Sequence, residues 1–280
     1  MATHESTTPV AGPIDPDQAL WPRAAKPWQR FGELISMLVD SVVALVSSIA
    51  RGRFHWWDCL GQARFLVSVS LLPTVLIAIP FGLVLVLEVG GLTAQVGAES
   101  LVGGVISTAT VREAAPIISG IVLAGAGGSA ICADLGSRST RSEIAALRVM
   151  AVDPVERLVA PRVLAAMIVG VLLNGIVSFV GILAGYLTHV FVLHGSAGGF
   201  LNSFSAFAQS ADLLESCLKA AVFGLVAAVV ASFQGLTCES GPAGVGNAVN
   251  RSVVVTGVAL FVLNLVITQI FLVTVSPVLL

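Results

Sequence analysis

The chain has 280 residues, 56% of them hydrophobic and only 11% charged, with a formal net charge of −2 at pH 7. A mean hydropathy of +0.96 lies far outside the range of soluble domains and excludes a soluble enzyme. The apolar residues fall in uncharged runs at 65–87, 114–133, 163–210, 220–238 and 252–280. A bilayer core takes roughly 20 helical residues, so four of these runs fit one span each. The run 163–210 fits one span plus a Gly/Ser-rich connector. The fold class is therefore an all-α polytopic membrane protein.

In chain order, residues 1–30 open with "MATHESTTPVAGPIDPDQALWP", rich in Pro, Thr and acidic residues. This stretch lacks the basic and apolar regions of a signal peptide and is expected to be a disordered cytoplasmic leader. Over 31–54, Phe31, Leu34, Leu38, Val42, Leu45 and Ile49 recur at helical spacing, with Glu33, Ser36, Asp40, Ser47 and Ser48 elsewhere around the turn. That predicts an N-terminal amphipathic helix lying in the membrane interface. Trp56 and Trp57 beside Arg51 and Arg53 mark the headgroup level, and His55 is read as part of that anchor.

Spans are predicted at about 65–88, 112–135, 163–190, 212–235 and 252–276. The connections 89–111 and 191–211 hold no Lys or Arg, whereas 136–162 holds five arginines. By the positive-inside rule this places the N-terminus and the 136–162 insert in the cytoplasm, and the C-terminus outside. No inverted repeat of the kind found in many secondary transporters is visible.

The insert is the most charged part of the chain. Thr140 followed by Glu143 forms a capping-box pattern for a helix beginning near Arg141. Ile144, Leu147 and Ala151 form an apolar stripe, while Arg141, Glu143 and Arg148 point elsewhere. Asp153-Pro154 ends that helix and opens the next, with Asp153 as cap and Pro154 at its first position. Two readings stand on physical grounds: a helix held to lipid headgroups, or a docking helix for a cytoplasmic partner.

The stretch "REAAPIISGIVLAGAGGSAICADLGSRSTRSEIAALRVMAVDPVERLVAPRVLA" (112–165) resembles the signature region of the MlaE/YrbE permeases, the membrane subunits of ABC-type lipid transporters. The likeness is carried by Arg112-Glu113 with Pro116, Asp134-Leu135-Gly136, Glu143 and Leu147, Met150 to Pro154, and Pro161-Arg162. It continues through "KAAVFGL" (219–225) and "GPAGVGNAVNRSVV" (241–254), over roughly residues 30–275. "AGAGGSAICADLG" further resembles the A-type YrbE subunit of actinobacterial Mce systems.

The resemblance implies an interfacial helix plus five spans (31–280), with a cytoplasmic coupling helix at about 140–152 between spans two and three. Its ATPase-facing residues would be Arg141, Glu143, Ile144, Leu147, Arg148 and Ala151, with the Asp153-Pro154 joint behind them. The implied partners are a B-type YrbE paralogue in a heterodimer, a cytoplasmic ABC ATPase dimer, a hexamer of Mce tunnel proteins and the lipid itself, with no nucleic acid. Because the chain lacks a G-x-x-x-x-G-K-[ST] phosphate loop, ATP and Mg belong to the partner and no cofactor is expected on this chain.

Arg112, Glu113 and Lys219 are ionisable residues at span depth, which is costly enough to point to function. Lys219 is the expected partner of Glu113. One reading is a network that only fixes helix contacts; the other places these residues at the mouth of a lipid cavity. Where some members of the family carry an acid, this chain has Asn264, so an ion pair there is not expected. Gly120, Ala124 and Gly128, with Gly181 and Gly185, form small-residue faces expected to pack within the chain rather than at a dimer seam. Pro73 and Pro80 bend span one. The expected lipid lining is Leu76, Ile79 and Leu83 of span one with Val258, Phe261 and Leu265 of span five.

"GPAGVGN" is read as a cytoplasmic turn. Cys59, Cys132, Cys217 and Cys238 are scattered and read as small apolar packers, and the four histidines lie apart, so no metal or catalytic set is expected. The expected function is a plasma-membrane permease moving phospholipid, fatty acid or sterol on power from a separate ATPase. The alternatives are a solitary secondary transporter or a membrane scaffold.

Overall fold

The computed structural model describes residues 27–52 and 56–275, and among these every regular element is helical. Most of the expected leader, together with Arg53, His55 and the last five residues, lies outside the described residues. Ten α-helices follow one another: α1 (Pro27–Ala50), α2 (Trp56–Gln95), α3 (Val102–Ala109), α4 (Ala115–Val122), α5 (Gly128–Thr140), α6 (Glu143–Val149), α7 (Ala160–Phe191), α8 (Ala197–Phe207), α9 (Ser210–Leu236) and α10 (Pro242–Val275). Wide π turns at Thr110–Ala114 and Leu123–Gly127 join α3, α4 and α5 into one rod, and a third, Val155–Val159, precedes α7.

Six helical stretches are long and apolar enough to cross a membrane: Gln29–Ala50, Trp56–Gln95, Val102–Thr140, Val155–Phe191, Ser210–Leu236 and Pro242–Thr274. Five of them match the spans read from sequence: four contain those spans and run beyond both bounds, and Pro242–Thr274 begins ten residues before its predicted start. The rod of 39 residues is about 58 Å long, almost twice the hydrocarbon thickness. Apolar run length therefore underestimates these helices, because polar residues at either end continue the same backbone ladder.

At the centre stands α9, buried without interruption from Val226 to Gly235, the pattern of a helix enclosed on all sides. Around it lie α7, the α3–α5 rod, α10 and α1, while α2 packs on the far side of α7. Buried positions on α2 recur every fourth residue, from Leu66 through Ser70, Thr74, Ala78, Gly82 and Val86 to Gly90. Small side chains on that ridge allow close approach. A Cβ on Gly82 would stand 2.5 Å from the carbonyl oxygen of Gly181. Gly120 faces Phe223 and Leu260, and Gly185 faces Val86, so these small residues serve contacts inside the chain.

Several sequence expectations change. The interfacial helix expected over 31–54 begins at Pro27 and ends at Ala50. Residues 102–111, expected in a loop, are helical, because Gly103 and Gly104 let the backbone of α3 close onto Phe200, Ser203 and Phe207 of α8. The Gly/Ser-rich connector holds α8, whose Ser196 hydroxyl accepts a hydrogen bond from the Gly199 N–H at 3.2 Å. "GPAGVGN" supplies the first turns of α10 from Pro242 onward, with only Gly241 in the preceding turn.

The coupling helix expected at 140–152 is shorter, Glu143–Val149. The capping box does not form: Thr140 belongs to α5, and its hydroxyl donates to the Gly136 carbonyl at 2.9 Å. Ser142 instead turns the chain in a left-handed conformation, φ 59°.

Candidate functional site

Two ionic clusters mark the bundle, one at each end. The first lies toward the α8 end, where the π turn Thr110–Ala114 presents Arg112 and Glu113 to α9. On α9, Asp212, Glu215 and Lys219 are three and four residues apart and so share one face. Arg112 Nη2 is 2.5 Å from Asp212 Oδ1, and its Nε is 3.7 Å from Glu215 Oε2. Lys219 Nζ is 3.0 Å from Glu113 Oε1, 2.8 Å from Glu215 Oε1 and 3.0 Å from the Arg112 carbonyl oxygen.

From α10, the Asn264 amide donates to Glu113 Oε2 at 2.9 Å, and the Thr268 hydroxyl lies 3.1 Å from Glu113 Oε1. The Arg112 guanidinium stands 5.8 Å from the ring centre of Phe271. Lys219 has 0% exposure, which is tolerable for a charge only because every direction around its ammonium offers an acceptor.

Arg112, Glu113 and Lys219 thus meet in one network. Sequence reading missed Asp212 and Glu215, although the Asp-x-x-Glu-x-x-x-Lys spacing could have placed them on the Lys219 face.

One to two turns further along the same helices the surface turns apolar. Ile117 and Ile121 lie below Glu113, Phe223 lies below Lys219, and Leu260 and Phe261 lie below Asn264. These five residues line a shallow crevice between α4, α9 and α10. Of the six residues expected to line a cavity, Phe261 belongs to this crevice. The others, Leu76, Ile79 and Leu83 of α2 with Val258 and Leu265 of α10, lie exposed on outward faces. Because α2 packs on α7 while α10 packs on α9 and α5, one chain alone does not gather the two triplets around a common space.

The second cluster lies at the α6 end. Asp134 Oδ1 is 3.2 Å from Arg138 Nε, and Asp134 Oδ2 is 2.5 Å from Arg162 Nη2 at the foot of α7. Arg138 reaches Glu143 at 3.9 Å, and Arg141 Nε lies 3.0 Å from Glu143 Oε1.

Beyond this cluster α6 presents a distinctive surface. Ile144 is buried and Leu147 half-buried, anchoring one side, while Arg148 is exposed. At its C-terminus Val149 is 89% and Met150 63% exposed. The helix closes with Ala151 at φ 56°, the Ala151 N–H bonded to the Arg148 carbonyl at 2.9 Å and the Val152 N–H to the Leu147 carbonyl at 3.0 Å. This is a Schellman closure with alanine where glycine is usual, so Ala151 does not extend the apolar stripe. Asp153 Oδ1 then accepts from the Val155 N–H at 2.9 Å, capping the next helix, with Pro154 as its first residue.

An all-α bundle of bilayer-crossing length, holding charges at span depth, is a polytopic membrane protein. A family model described as Permease MlaE matches residues 59–270, and the chain belongs to that family. It is 32% identical to a probable ABC transporter permease protein of Synechocystis sp., over 77% of this chain and 82% of the relative. It is 29% identical to the intermembrane phospholipid transport system permease protein MlaE of Haemophilus influenzae, over 78% of this chain and 84% of the relative. It is also 29% identical to the chloroplast protein TRIGALACTOSYLDIACYLGLYCEROL 1 of Arabidopsis thaliana, over 81% of this chain and 65% of that protein. This is an ABC transporter permease, a multi-pass subunit that is not itself the ATPase.

Proposed function

We propose that the chain is the permease subunit of an Mce-type ABC transporter that carries phospholipid, fatty acid or sterol across the cell envelope. The observation that carries the lipid reading is the step from charge to hydrocarbon within one column. Arg112, Glu113 and Lys219 sit directly above the crevice of Ile117, Ile121 and Phe261. An amphiphile could set a polar head at the first level and an acyl or ring portion at the second. The phospholipid-transport name of the Haemophilus relative supports the same reading.

In this proposal α6 is the cytoplasmic coupling helix, with the N-terminus in the cytoplasm and the C-terminus outside. Val149, Met150 and Arg148 would enter the ATPase, where ATP and Mg are held. A B-type YrbE paralogue would cover the apolar faces of α2 and α10 and enclose the lipid space. Mce proteins would continue the path beyond the α8 end.

The helix α1 is assigned to the interface on the three sectors of its surface. Met37, Ser41 and Leu45 pack on the bundle, Phe31, Ile35, Val39 and Val43 are exposed, and Ser36 and Asp40 form an exposed polar edge. Such an edge suits the water boundary of a helix lying flat and would be costly in hydrocarbon.

The test is reconstitution with the cognate ATPase and permease partner in phospholipid vesicles. Val149→Asp with Met150→Asp is expected to abolish ATPase co-purification. Phe261→Arg is expected to keep the ATPase bound and to lower lipid transfer roughly tenfold or more. Lipid flux that needs no ATPase would transfer the assignment to a solitary transporter.

A further inference from the structure

The covalent route from α6 to α7 runs through Met150, Ala151, Val152 and Asp153, a non-helical joint of four residues exposed or half-buried along its length. Such a joint, with one left-handed residue and few buried contacts, absorbs displacement rather than passing it on. A second route bypasses it. Glu143, the first residue of α6, meets Arg138; Arg138 and Arg162 both bind Asp134, each at its own carboxylate oxygen.

Arg162 is only 3% exposed, and its Nη1 also donates to the Leu158 carbonyl at 2.6 Å, gripping the π turn beneath α7. Short charge-assisted bonds of this kind fix direction as well as distance. The contacts Glu143–Arg138 at 3.9 Å, Arg138–Asp134 at 3.2 Å and Asp134–Arg162 at 2.5 Å therefore run from α6 across the end of α5 to the foot of α7.

We propose that Asp134 is a positioning residue that transmits displacement of α6 to α7. The assignment rests on the reading of α6 as the ATPase-docking helix. A carboxylate suits the task because its two oxygens hold two arginines at once. A different role is conceivable for the same contacts: Asp134 could serve only to neutralise the buried Arg162. The two roles separate in a double variant, since Asp134→Asn with Arg162→Met removes both charges and leaves no unpaired buried ion.

The experiment uses the complete complex in phospholipid vesicles and measures ATP hydrolysis alongside transfer of a fluorescent phospholipid. Asp134→Asn and the double variant are both expected to retain the ATPase in pull-down and to hydrolyse ATP with an unchanged KM. Lipid moved per ATP is expected to fall roughly five-fold or more in both.

Wild-type stoichiometry in the double variant would overturn the proposal, leaving Asp134 as a neutralising partner of Arg162. A wild-type complex that fails to bind the ATPase, or that moves no lipid, would instead overturn the docking and transport reading on which it rests.

Discussion

The two ionic clusters are built from the same residue types and lie about 30 Å apart along one rod, yet water reaches them very differently. At the α8 end Lys219, Glu215 and Asp212 on α9 are sealed, and Arg112 and Glu113, 27% and 37% exposed at the side chain, cover them. At the α6 end exposure rises outward, from Arg162 within the bundle through Asp134 to Arg141 at its edge. Ion pairs in a sealed site are costly to separate, whereas those in a graded one weaken stepwise. The first arrangement suits a fixed feature of the bundle, and the second a link whose exposed end a docking partner can reach while its buried end stays fixed to α7.

The largest test of that contrast is Lys219→Met. It leaves Glu113 without its cation and buried Glu215 with only the 3.7 Å contact to Arg112, and should cost about 3–5 kcal/mol, read as a lowered unfolding midpoint in detergent. Recovery of stability when Glu215→Gln is added would show how much of the loss is the orphaned charge. Arg162→Met should cost less, about 1.5–3 kcal/mol, because the Asp134 carboxylate left behind already touches water. Equal losses for Lys219→Met and Arg162→Met would erase the distinction. Smallest of all, Arg141→Ala should change stability by about 0.5 kcal/mol or less, and moderate salt should remove even that. A salt-independent loss at Arg141 would show that the graded cluster is tighter than its exposure implies.

Sequence pattern gave the helical class directly, because long uncharged runs and flanking arginines state where the hydrocarbon is. It also placed Arg112, Glu113 and Lys219 at span depth, since charge stands out against an apolar background. Asp212 and Glu215 were passed over because they flank the predicted span boundary, where acids look like ordinary solvent contacts. The π turns, the helical stretch 102–111 and α8 have no local signature at all. Glycines at 103 and 104 argue against helix by propensity, and only the close approach of α8 reverses the balance.

The lining residues were hidden for another reason. Apolar side chains facing a lipid, a partner or a core are the same residues, so Val258 and Leu265 cannot be told from any other leucine-rich face until neighbours are known. The capping pattern at Thr140 failed because α5 extends one turn further than its apolar stripe, and the hydroxyl found a carbonyl of its own helix.

The π turn Thr110–Ala114 has a consequence for how the rod is threaded. A π turn takes in roughly one residue more than an α turn, so it acts as a one-residue insertion stored inside a continuous helix. Removing one of those five residues would return the segment to regular α winding and leave α3 and α4 in their present phase. Removing one residue from α4 would instead turn the parts before and after it by about 100° relative to each other. A single-residue deletion within 110–114 that spares Arg112 and Glu113 is therefore expected to disturb the packing of α3 on α8 less than a single-residue deletion within 115–122.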